Sequence, residues 1–161
     1  MLNSVPSPQF DPDHTSQPAL DWAGVSDTNP DVPQRVVVVD DSRMQRRLRA
    51  TRLRKWGYEV WEADSAAEGL KICTDHDVSL ILSDWMMPEM SGPEFCRAFR
   101  NLGQSNYGYF ILLTSKGSSD EVAEGLNSGA DDFLTKPVTS GELRARLRAG
   151  ERVLRMQAAL I

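Results

Sequence analysis

Four consecutive valines, Val36 to Val39, run straight into two aspartates, Asp40 and Asp41. A run that is apolar and β-branched at every position has no polar face to offer water. It therefore reads as a strand covered on both sides, the habit of parallel sheets. Three more apolar runs also end in polar groups: Val78 to Ser83 before Asp84, Tyr109 to Leu113 before Thr114, and Phe133 to Thr135 before Lys136-Pro137. As parallel neighbours, these strands would bring three carboxylates, a hydroxyl and an ammonium to one sheet edge, where open α/β folds keep their sites.

Helical signals fill the gaps. Ser42 caps a helix from about Arg43 to Trp56, with Gly57 as its stop. Tyr58 to Trp61 reads as the second strand, and Ser65 to Cys73 as a helix with Ala66, Leu70 and Cys73 on one side. From Gly92, the residues Phe95, Cys96, Phe99 and Leu102 form a stripe at helical spacing that should face the core. Asp120 to Ser128 forms the fourth helix, ended by Gly129, and the last helix starts near Ser140 and runs to the end. Five β/α units in strict alternation imply a parallel sheet with right-handed crossovers and helices on both faces.

The 161 residues suffice for one domain plus tails. Residues 1–34 hold six of the nine prolines and five aspartates with no Lys or Arg, which predicts a disordered acidic leader. Trp22 is its one residue suited to docking, though a lone aromatic in such a segment is more often incidental. The leader accounts for the whole net charge of −5, so the remainder is neutral and nothing in the charge suggests a nucleic-acid binder. Cys73 and Cys96 lack metal-ligand or CxxC spacing and read as small core residues in a reducing compartment. No apolar run is long enough to cross a bilayer, and the start of the chain lacks a secretory pattern, so the expected location is the cytoplasm.

Each acid near the sheet edge has two readings. Asp40 and Asp41 could simply cap the following helix. Three carboxylates at neighbouring strand ends would repel one another without a cation, however, and a hard ion such as Mg²⁺ takes carboxylate, phosphate and water oxygens. Asp41 and Asp84 suit such an ion directly, with Asp40 orienting a bound water. Lys136 and Thr114 could hold phosphoryl oxygens by charge and by hydrogen bond. The Lys136-Pro137 bond, at a strand end, is a candidate for the cis form, which only about 5–6% of X-Pro bonds adopt.

Four ordered stretches, VVVVDDS at 36–42, LILSDWMMPEMSG at 80–92, ILLTSKG at 111–117 and GADDFLTKP at 129–137, resemble the receiver domain of two-component response regulators over roughly 35–150. The resemblance implies a flavodoxin-like (βα)5 doubly wound sheet of strand order 2-1-3-4-5, followed here by an extended last helix over 151–161. It implies that Asp84 accepts a phosphoryl group from a sensor histidine kinase or phosphotransfer protein. It further implies that Asp40, Asp41, Asp84 and the Met86 backbone carbonyl form the Mg²⁺ site, and that Thr114 and Lys136 bind the phosphoryl oxygens. Such a domain assists its own phosphorylation and is not a conventional turnover enzyme. The switch pair would be Thr114 and Phe133, a Phe where Tyr is often found, so switching would work by packing.

Met86 and Lys116 occupy the positions that flank the path of attacking water in receivers. An apolar Met cannot orient water, so slow self-dephosphorylation is expected. The first helix carries Arg43, Arg46, Arg47, Arg49, Arg52, Arg54 and Lys55. These read either as a solvated face balancing nearby carboxylates or as a kinase-docking face. In the last helix Leu147, Leu154 and Ile161 fall seven apart, which suits a homodimer helix or a lead into an output domain. A dehalogenase-type phosphatase would need a second Asp at position 86, and a flavin carrier a Ser/Thr/Gly-rich loop at 40–47; neither is present. The remaining alternative is a receiver-like interaction module that works without phosphorylation.

Overall fold

Strand and helix alternate five times: β1 (Arg35–Val39), α1 (Arg43–Lys55), β2 (Glu59–Ala63), α2 (Ala66–His76), β3 (Leu80–Asp84), α3 (Gly92–Asn101), β4 (Tyr109–Thr114), α4 (Ser119–Asn127), β5 (Asp132–Thr135) and α5 (Ser140–Ala158). This computed structural model describes residues 34–104, 106–115 and 119–159, without the Ser119 side chain. The expectations for the leader and its Trp22, for Lys116, and for Ile161 lie outside the described residues.

All strand pairs are parallel and the order is β2-β1-β3-β4-β5, the flavodoxin-like arrangement. The valine run shows why this order closes. Val36 and Val38 point into one core with Leu53 of α1 and Leu143 and Leu147 of α5, while Val37 and Val39 point into the other with Cys73 of α2 and Phe95 and Phe99 of α3. A central strand buried on both faces has to be apolar at every position. β2 lies at the sheet edge with only Ala63 buried, and its Glu59 and Glu62 break any apolar run. That is why it begins and ends one to two residues later than Tyr58 to Trp61 suggests.

The caps follow sequence chemistry. The hydroxyls of Ser42, Ser65, Ser91 and Thr139 accept from backbone N–H groups three residues on, which opens α1, α2, α3 and α5. Gly57 and Gly129 take left-handed φ values of 94° and 97° where α1 and α4 end. Leu102 corrects the expected apolar stripe of α3. It is the C-terminal cap residue, turned away from the sheet and 45% exposed, while Phe95, Cys96 and Phe99 are buried. Leu147 is fully buried in the domain's own core and Leu154 packs against the same cluster. Leu147 and Leu154 thus take part in docking α5 onto the sheet.

Candidate functional site

The parallel register carries β1, β3, β4 and β5 to a common edge, where Asp40, Asp84, Thr114 and Lys136 all emerge. Asp40 follows the last residue of β1, Asp84 ends β3, Thr114 ends β4 and Lys136 follows β5. Asp40, Asp84 and Thr114 are buried, while Asp41 is exposed. One carboxylate oxygen from each of Asp40, Asp41 and Asp84 lies within 4.8 Å of the others. The Lys136 ammonium sits 2.6 Å from Asp84 Oδ1. The backbone N–H of Lys136 donates to the Thr114 carbonyl at 2.7 Å, locking the ends of β4 and β5 together, and the Lys136–Pro137 peptide is cis.

Burial is the largest influence on Asp84 and pushes its carboxyl above the ordinary range. The hydrogen bond from Lys136 pulls it back, and the charge of Asp40 pushes it up again. Buried acids at this separation are costly to keep charged without cations, and their hard oxygen donors are consistent with Mg²⁺. Below the site Trp85, nearly buried, meets Phe133 edge-on at 6.1 Å between ring centres. The close packing extends to Gly92, where an added Cβ would come within 2.6 Å of the Asp84 carbonyl oxygen. Met86, two residues beyond Asp84, turns its side chain to solvent at 71% exposure.

The family model for the response regulator receiver domain matches residues 36–148. The chain belongs to the response regulator receiver family. Among relatives of this receiver, the phosphate regulon transcriptional regulatory protein PhoB of Pseudomonas aeruginosa is 38% identical over 118 residues, covering 73% of this chain and 52% of that protein. Response regulator MprA of Mycobacterium sp. (strain KMS) is 37% identical over 118 residues, covering 73% and 50%. The receiver thus spans about half the length of these curated relatives. The crystal structure of chemotaxis protein CheY4 from Vibrio cholerae superposes with a TM-score of 0.70 at 32% identity, covering 74% of this chain and 99% of that one.

Two receiver residues at the site escaped the reading of sequence. Arg49 Nη1 lies 2.6 Å from Asp40 Oδ2, and Gln45 Oε1 accepts from both Lys136 Nζ at 3.3 Å and Arg49 Nη2 at 3.4 Å. A signal was available. Leu53 marks the inward side of α1, and counting back in fours along the helix gives Arg49 and Gln45 on that same side. The arginines of α1 accordingly divide. Arg46 pairs with Glu62 of β2 and donates to the Asp40 carbonyl, so it and Arg49 face the protein. Arg43 and Arg52 stay exposed, as do Arg47 and Arg54 despite their contacts with Glu62.

Proposed function

We propose that this receiver takes a phosphoryl group on Asp84 and uses it to control a partner or an attached output domain in two-component signalling. One observation carries the reading: a buried Asp84 carboxylate, 2.6 Å from the Lys136 ammonium, shares a strand-edge cluster with two further acids. The donor is the phosphohistidine of a sensor kinase or phosphotransfer protein. An Asp84 oxygen attacks phosphorus in line, the new O–P bond forms as the P–N bond breaks, and the histidine nitrogen leaves with the electron pair. Lys136, already beside Asp84, steadies the oxygens of the transferring group, and the Thr114 hydroxyl bonds one of them. Asp41, Asp84 and the Met86 backbone carbonyl would hold Mg²⁺, with Asp40 as an outer partner. Bound there, the ion supplies charge shielding between carboxylate and phosphoryl oxygens.

Switching follows from packing. Thr114 drawn towards the phosphoryl group would free space for Phe133, whose ring already lies edge-on to Trp85. Exposed Met86 offers water no hydrogen bond, which supports a long-lived phosphoryl group, and Lys116 is assigned to the same tuning role. The kinase contact is assigned to the outer face of α1, where Met44 and Leu48 are exposed among Arg43, Arg47 and Arg52. A cytoplasmic setting suits two buried free cysteines, and among the described residues no helix is long and apolar enough to cross a membrane.

The decisive experiment incubates the chain with acetyl phosphate and Mg²⁺ and reads intact mass. Wild type should gain one phosphoryl group, and Asp84→Asn should gain none. Equal labelling of the two proteins would move the acceptor elsewhere. No labelling of wild type by acetyl phosphate or by a phosphorylated kinase would favour the phosphorylation-independent interaction module.

A further inference from the structure

We propose that Arg49 is a resident counter-cation of the acidic site, holding Asp40 in place without metal and setting Mg²⁺ affinity below what the three acids and Lys136 alone would give. This inference rests on the Mg²⁺ reading above and deepens it.

The geometry is that of a built pair. The Asp40 side chain is 1% exposed and that of Arg49 16%, with 2.6 Å between Oδ2 and Nη1. The other oxygen, Oδ1, accepts the Ser42 backbone N–H at 2.9 Å. Both oxygens of Asp40 therefore have protein donors. Exposed ion pairs contribute little, but a buried carboxylate stripped of its partner is a large penalty. Arg46 does not duplicate the contact, since it reaches the Asp40 carbonyl and Glu62 instead.

Arg49 is also wired to the rest of the site. Gln45 joins it to Lys136, so Asp40, Arg49, Gln45, Lys136 and Asp84 form one unbroken chain of contacts. Asp41 is the acid outside that chain. Arg49 is felt at Asp84 too, where its charge favours the ionised carboxylate.

Charge balance gives the consequence. Three carboxylates against Lys136 alone carry two net negative charges, and Arg49 reduces them to one. A unit charge a few ångströms from a divalent cation changes affinity about tenfold even in a water-like dielectric. Releasing Asp40 from Arg49 would act in the same direction, because a free oxygen becomes available to a metal-bound water.

The test is a Mg²⁺ titration of the full chain, followed by tryptophan fluorescence and calorimetry, with thermal melts in chelator and in Mg²⁺. Three variants separate charge from packing: Arg49→Lys keeps the charge, Arg49→Gln keeps a donor for Asp40 without it, and Arg49→Met keeps only bulk. Arg49→Gln and Arg49→Met should bind Mg²⁺ about tenfold more tightly than wild type, with the gap shrinking in high salt, and Arg49→Lys should stay near wild type. The two neutral variants should melt lower in chelator and gain more from saturating Mg²⁺ than wild type does. Should Arg49→Met fail to fold, Arg49→Gln carries the comparison. Unchanged or weaker binding in the neutral variants, with wild type binding normally, overturns this inference and leaves the Mg²⁺ reading standing. Absence of binding in every protein, wild type included, overturns both.

Discussion

Burial pushes the Asp84 carboxyl above its ordinary range, and Asp40 adds to the push while Lys136 and Arg49 oppose it. A folded-state pKa above the unfolded one means that the folded protein takes up this proton more readily. The penalty of the charged carboxylate is thus fully felt above the raised pKa and relieved as pH falls through it towards 3.8. Asp84→Asn removes that penalty. In metal-free buffer near neutral pH the variant should be the more stable protein, and the advantage should shrink as the pH approaches 4. Thermal melts of both proteins across that range decide it, and a variant less stable at neutral pH would contradict the balance described here. Met86 makes a second residue-scale case. Asn at this position gives water a partner beside Asp84, so Met86→Asn should shorten the phosphoryl half-life several-fold, about 1 kcal/mol of barrier. Loss of label after removal of acetyl phosphate measures it directly.

At the scale of elements, α1 and α5 illustrate how far sequence reading reaches. The buried strands were legible because an apolar run has one structural meaning, and Asp40, Asp41, Asp84, Thr114 and Lys136 were legible because each terminates or follows such a run. β2 blurred because an edge strand mixes Glu59 and Glu62 with its apolar residues. Arg49 and Gln45 stayed hidden for a different reason. A long polar side chain on a helix can turn outward or inward, and only the placement of α1 over the end of β1 decides which. The outer face of α1 yields a prediction of its own. Arg43→Glu should slow phosphotransfer from a cognate kinase about tenfold and flatten its salt dependence, while labelling by acetyl phosphate stays at the wild-type level. A parallel loss with both donors would mean that the change damages the site. In α5, Gly150 reverses an ordinary rule. Replacing an exposed helical Gly by Ala stabilises by about 1 kcal/mol, but here the new Cβ would lie 2.7 Å from the Tyr109 ring and 3.0 Å from Leu80 Cδ1. Gly150→Ala should therefore lower stability by about 1 to 3 kcal/mol in denaturant unfolding.

Across the whole molecule, chemistry and anchorage occupy opposite edges of the same sheet. The acids gather where the strands end; where β4 and β5 begin, Arg100 from α3 holds three segments together. Its guanidinium donates to the Gly108 carbonyl at 2.5 Å, to the Gly129 carbonyl at 2.9 Å and to Asp131 Oδ2 at 2.8 Å. Asp131 also accepts from the Tyr107 hydroxyl and from the Phe110 backbone N–H, and Arg100 stacks over the Tyr107 ring at 4.7 Å. Burial and the Asp131 contact push the Tyr107 phenol up to about 12, so this network stays intact through the neutral range. Removing Arg100 takes the guanidinium donor from two carbonyls and the counter-charge from a largely buried carboxylate, to which Tyr107 and Phe110 still donate. Arg100→Ala should cost about 2 to 3 kcal/mol of stability while leaving the rate of acetyl phosphate labelling unchanged below its melting range. Asp84 lies in register with Leu113, three residues along β4 from Phe110 and five from Gly108, so roughly 10 to 17 Å separate it from the network, with no partner in common. The stability effects of Arg100→Ala and Asp84→Asn, opposite in sign, should then add within about 0.5 kcal/mol in the double variant. A larger deviation would mean that the sheet transmits strain between its two edges, the property a phosphorylation switch would need in order to be read at a distance.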